Sequence, residues 1–176
     1  MADPHNKSRY GELWNQHIIN LYLDKLNHIK QYVIFSGGWA WHFMSPINHK
    51  ELKHAHDHKD VDIFVHKEDV VTVIQILKNI GFEKVHTRFP AGEADFRRYE
   101  TVVEDNKLII DFFVGNPPYI TINGFKVIEP SYLLSLYKSI HSSDNCFAVK
   151  AAYNIIQKGE SPINRKELVE IPITCN

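Results

Sequence analysis

Val33-Ile34-Phe35-Ser36-Gly37-Gly38, followed after a histidine-rich segment by Lys59-Asp60-Val61-Asp62-Ile63-Phe64-Val65, is the pair of segments on which the reading of this chain turns. The first is a continuous apolar run stopped by two glycines, the pattern of a buried strand feeding a tight turn. In the second, alternate strand residues share a face, so Asp60 and Asp62 project together. Two neighbouring carboxylates repel unless a cation lies between them. Oxygen-only donors favour a hard divalent ion such as Mg2+.

Outward from these segments, residues 39–44 predict a brief helix ended before Pro46. Residues 47–59 lack useful periodicity and read as a loop carrying His49, His54, His56 and His58. Upstream, Ser8 is placed to cap a helix starting near Gly11, with Leu13, Ile18, Leu21, Leu26 and Ile29 at roughly helical spacing and Tyr22 beside them. Downstream of the acid-bearing strand, Glu68-Asp69 open a helix that carries Val70, Val71, Ile74, Ile76 and Leu77 and ends at Gly81. A third strand is expected at 82–87. Residues 95–104 and 107–114 pattern as a hairpin turning at Asp105-Asn106, and 120–122 with 125–128 as another turning at Asn123-Gly124. Glu129-Pro130-Ser131 then opens a helix with Leu133, Leu134, Leu136 and Tyr137, and residues 144–157 predict a last helix with Phe147, Tyr153 and Ile156 inward. These elements predict an α/β fold with a small mixed sheet and flanking helices. Residues 1–160 read as a single domain and 161–176 as a surface extension.

At 176 residues, 44% hydrophobic and with net charge -1, the chain fits one compact domain and lacks the global basicity of a dedicated nucleic-acid binder. Only Cys146 and Cys175 are present, which supports neither a disulfide framework nor a thiolate zinc site. No run of about eighteen apolar residues is found, and the polar N-terminus has no signal-peptide core. A soluble, cytoplasmic protein with no membrane contact is the expectation.

A third acid, Asp111, lies inside the nearly all-apolar run Leu108-Ile109-Ile110-Asp111-Phe112-Phe113, where a carboxylate is costly unless paired or metal-bound. Three carboxylates on neighbouring strands beside a glycine turn are what phosphoryl or nucleotidyl transfer requires, with two metal ions neutralising a triphosphate and orienting an attacking hydroxyl. Ser36-Gly37-Gly38 supplies the phosphate side, because glycine lets backbone N–H groups approach anionic oxygens at a helix N-terminus.

Gly37-Gly38, Asp60-Val61-Asp62-Ile63 and Asp111 together resemble the pattern of the DNA polymerase beta-like nucleotidyltransferase superfamily. Gly37-Gly38-Trp39-Ala40 with His58-Lys59-Asp60-Val61-Asp62 is similar to the small aminoglycoside and lincosamide nucleotidyltransferases. Phe125-Lys126-Val127-Ile128-Glu129-Pro130, followed by Leu133, Leu134 and Lys138, is similar to the helix entry of those enzymes and of nucleotidyltransferase-like toxins. The resemblance spans roughly residues 33–150. It implies that Asp60 and Asp62 bind both metals, that Asp111 binds the metal that activates the acceptor hydroxyl, and that Gly37 and Gly38 contact the triphosphate. Gly38 stands where many members have Ser, and Ser36 is the substitute hydroxyl. Lys138 is a phosphate ligand by the same resemblance, whereas Asp144 lies in too loose a register to be assigned a role.

The implied reaction is transfer of an NMP, from ATP in the favoured reading, to a hydroxyl of a small acceptor, with release of pyrophosphate. Modification of tRNA or a protein is the alternative within the enzyme class, and a non-catalytic nucleotide-binding module is the alternative outside it. A homodimer whose second protomer completes the acceptor pocket is compatible with so short a chain. Competing structural roles are also defined. Asp111 could pair with Arg97 or Arg98 on the opposing hairpin arm, and Trp39 and Trp41 could belong to the core or line a base or substrate pocket. The histidine cluster is a solvated run or a transition-metal site, with His58 a candidate second partner of the acids. Arg88, Arg97, Arg98 and Lys107 are a basic wall or scattered surface charge.

Overall fold

The computed structural model describes residues 16–44, 60–85 and 96–138. The histidine loop, Ser8, Arg88, the helix expected at 144–157 and the extension at 161–176 lie outside the described residues. Among these residues seven strands form one mixed sheet, with helices between them: β1 Val33–Ser36, β2 Asp60–Val65, β3 Glu83–Val85, β4 Phe96–Val103, β5 Asn106–Val114, β6 Tyr119–Ile122 and β7 Phe125–Ile128. The helices are α1 Gln16–Leu26, α2 Gly37–Met44, α3 Val70–Asn79, entered through a 3-10 turn at Lys67–Asp69, and α4 Pro130–Lys138. Across the sheet the strands run β3-β4-β5-β2-β1-β7-β6. Pairing is parallel between β2 and β5 and between β1 and β7, and antiparallel elsewhere.

Central position explains the strand compositions. All four residues of β1 are buried, as its unbroken apolar run requires for a strand flanked on both sides. In β2 the burial alternates, with Val61, Ile63 and Val65 in the core and Asp60, Asp62 and Phe64 on the opposite face. The core face is covered by α1 and α2. Phe35 meets Phe43 edge-on at 5.4 Å between ring centroids, and Tyr22 of α1 lies 5.3 Å from Trp39. Tyr22 also accepts a hydrogen bond from the Ile109 amide at 3.1 Å, tying α1 to β5.

Trp39 and Trp41 are fully buried, so the core reading holds for both. Gly37 and Gly38 do not form a free-standing turn: they are the first two residues of α2, and Gly37 makes the corner at φ +58°. In α3 the buried residues are Val73 and Leu77, while Val71 is 78% exposed. The strand expected at 82–87 is described over Glu83–Val85.

Both hairpins have two-residue loops in which each residue has positive φ, the geometry that matches strand twist. Asn123-Gly124 is placed as expected. The other loop is Glu104-Asp105 rather than Asp105-Asn106, since Val103 pairs with Asn106. Asn106 is instead the first residue of β5, and its side chain donates to the Glu104 carbonyl at 2.8 Å. Pro130 opens α4 at the position where a missing N–H is harmless, and the Glu129 carbonyl accepts from Leu133 N at 3.0 Å.

Candidate active site

Strand register lines up the chemistry. Ser36 is the cross-strand partner of Asp62, Asp62 of Asp111, and Asp111 of Arg98. One row perpendicular to the strands therefore carries Arg98, Asp111, Asp62 and Ser36 on β4, β5, β2 and β1, all on the face opposite the core. Two residues along each strand, the next row on that face carries Phe96, Phe113 and Phe64. Their rings lie 5.1 Å (Phe96–Phe113) and 5.5 Å (Phe64–Phe113) apart. On the other side Asp60 is level with Ile109 and Glu100. The three sequence-predicted acids are thus brought together, with Ser36 at the same level. Ser36 and Asp111 are buried.

The glycine corner closes the site from the β1 end. A Cβ on Gly37 would overlap the Asp62 carboxyl and stand 2.9 Å from its Cγ, so the absence of a side chain here is a packing requirement as well as a conformational one. Gly38 follows within the buried first turn of α2. Lys138 is the last residue of α4; its side chain lies outside the described residues.

Arg98 supplies the positive charge. Its Nε donates to Asp111 Oδ1 at 2.6 Å and its Nη2 to Asp111 Oδ2 at 2.6 Å, a bidentate fork, with Nη2 also 3.5 Å from Asp60 Oδ2. Of the two arginines that sequence offered as partners for Asp111, register selects this one. Arg97 faces the other side of the sheet, its guanidinium carbon 5.5 Å from the Phe112 ring centre. Lys107 pairs with Glu100 at 2.8 Å, away from the acid row. Only Arg98 of the proposed basic wall, among the described residues, touches the acids.

Asp62 is pushed from its ordinary value of 3.8 up to about 8, first by burial and then by the negative charge of Asp60 and Asp111, with Arg98 pulling the other way. The Arg98 guanidinium is held further above its usual range, chiefly by its hydrogen bond to Asp111. Among the described residues, no three His, Cys, Asp or Glu groups stand already arranged around a metal position. Two of the three acids are turned toward Arg98 instead. The donor set nevertheless fits a hard divalent cation: all-oxygen, on adjacent strands and at matched register.

No protein-family model matches the sequence, and no curated protein matches it. Among solved structures, the antibiotic-resistance factor ANT(2'')-Ia in solution aligns with a TM-score of 0.53 at 13% identity, over 90% of each chain. A lincosamide antibiotic adenylyltransferase with lincomycin bound gives 0.49 at 17% identity, over 82% of this chain and 99% of that one. ANT(2'')-Ia in complex with adenylyl-2''-tobramycin gives 0.45 at 13% identity, over 70% and 75%. The first of these likenesses carries the fold assignment. The chain has the polymerase beta-like nucleotidyltransferase fold, a mixed α/β architecture built on a seven-stranded sheet.

Proposed function

We propose that this protein is a metal-dependent nucleotidyltransferase that moves an NMP from a nucleoside triphosphate, ATP in the favoured case, to a hydroxyl of a small acceptor. The observation that carries the reading is the row of acids: Asp62 and Asp111 are direct partners on parallel strands, with Asp60 one step away on the same face. In the reaction the acceptor oxygen bonds to the α-phosphorus, the bond to the bridging oxygen breaks, pyrophosphate leaves, and the hydroxyl proton passes to solvent. Asp60, Asp62 and Asp111 would hold Mg2+, two ions in the full site, which supplies charge neutralisation for the triphosphate and acidifies the acceptor hydroxyl. Gly37 and Gly38 at the start of α2 offer the triphosphate an approach with no side chain in the way, and Ser36 offers a hydroxyl beside Asp62. Lys138 is the remaining phosphate ligand in this reading.

The small-acceptor reading is suggested by the likeness to an antibiotic-resistance factor of the same fold, with RNA or protein as the alternative. The test is incubation with Mg2+ and α-labelled nucleotides against aminoglycosides, lincosamides, tRNA and whole lysate. Label on a small molecule, lost by at least about a thousandfold in Asp62→Asn, is the expected result. Label only on RNA or protein would move the acceptor to a macromolecule. Nucleotide binding without turnover on any acceptor would replace the enzyme by a binding module.

A further inference from the structure

The Arg98 fork places a cation between Asp111 and Asp60, on the face where a divalent ion would have to sit. We propose that Arg98 is a built-in counter-ion of the acid cluster that competes with the metal, so that metal loading requires the guanidinium to release Asp111 and Asp60. The proposal rests on the reading of Asp60, Asp62 and Asp111 as metal ligands.

Three observations carry it. Both Asp111 oxygens already accept a hydrogen bond from Arg98, each at 2.6 Å. The Asp111 side chain is only 10% exposed, which leaves little room for a second cation beside the fork. Arg98 also reaches Asp60 but makes no hydrogen bond to Asp62, so one arginine spans the two outer acids. When a divalent ion arrives, two arrangements are open. Either the guanidinium stays and repels it at close range, or it leaves and forfeits two charge-assisted bonds. Each lowers metal affinity relative to a chain without Arg98. The opposing role, a clamp that presents Asp111 to the metal, has the opposite sign: losing it would weaken binding.

The sign is read by Mn2+ titration of the full chain, followed by paramagnetic resonance or calorimetry, for wild type, Arg98→Met, Arg98→Lys and Asp62→Asn. Melting temperatures are recorded in parallel with chelator and with Mn2+. Arg98→Met is expected to bind Mn2+ at least about tenfold more tightly than wild type, to melt lower in chelator, and to recover more on adding Mn2+. Arg98→Lys keeps one charge but cannot fork across both oxygens, so tighter binding than wild type, by less than in Arg98→Met, is expected of it. It carries the test if Arg98→Met does not fold. Equal or weaker Mn2+ binding in the folded Arg98 variants overturns the proposal while leaving the metal site standing. Mn2+ binding by wild type that is undiminished in Asp62→Asn removes the metal-site reading itself, and the proposal with it.

Discussion

Gly37 and Asp62 are packed so closely that no other residue fits at position 37: an added carbon would overlap the Asp62 carboxyl, and φ there is +58°. The site's glycine and its central acid are therefore one structural unit, joined across the β1–β2 pair where Ser36 is level with Asp62.

Gly37→Ala should destabilise the chain by about 2–4 kcal/mol, from left-handed strain of about 1 kcal/mol together with overpacking of about 1–3 kcal/mol. Gly124→Ala is the control. Its φ is +81° but nothing lies within 4 Å of its Cβ position, so only the conformational cost of about 1 kcal/mol applies. Urea denaturation of both variants checks the contrast, and equal losses would refute the packing account of Gly37.

The raised Asp62 carboxyl makes the metal-free protein sensitive to pH in a defined direction. Between about 4, where the unfolded chain releases this proton, and about 8, where the folded one does, the folded state holds the extra proton. Stability is therefore full below that window and falls as pH rises through it. Thermal melts in chelator should show a melting temperature dropping from pH 5 to pH 8 in wild type. Asp62→Asn should lose most of that slope and melt above wild type at pH 8. Parallel slopes in the two proteins would contradict the assignment to Asp62.

Asp105 occupies the second position of a two-residue hairpin loop at φ +62°, a place that favours glycine. Asp105→Gly should stabilise the chain by about 0.5–1 kcal/mol. The same urea titration reads it, and the proposed nucleotidyl transfer should be unchanged because the loop is at the far end of β5 from the acid row.

Trp39 lies in the core, in ring contact with Tyr22, His42 and Phe43. Trp39→Ala should cost about 3–5 kcal/mol. A stable Trp39→Ala protein with altered nucleotide or acceptor affinity would restore the pocket reading.

Asp60 and Asp62 were legible in sequence because period-two alternation is a local property, and the mixed sheet followed from strand patterns punctuated by glycine and proline. Hairpin register was not legible at the same level. A loop at Asp105-Asn106 would have set Glu100 opposite Asp111, acid against acid, whereas the observed loop sets Arg98 there. Charge complementarity across the hairpin was the signal that separates the two, and it required weighing pairs on different strands rather than turn propensity alone. The aromatic row Phe96, Phe113 and Phe64 is not legible in the sequence for a related reason. In a strand as apolar as β5 the two faces look alike until its neighbours are known. The apolar set read for α3 includes Val71, which is exposed, and omits Val73, which is buried with Leu77.

The β4–β5 hairpin also bears on how the site assembles. Arg98 and Asp111 are 13 positions apart and joined by a two-residue loop, while Asp62 belongs to an earlier supersecondary unit. Hairpins close within microseconds, and parallel pairing over long chain separations is slow. Asp111 can thus meet its arginine within the nascent hairpin and travel to β2 as a neutral pair. Pairing of β2 with β5, which brings Asp111 level with Asp62, joins segments farther apart in the chain than the hairpin does, so the arginine can be in place before these two acids meet.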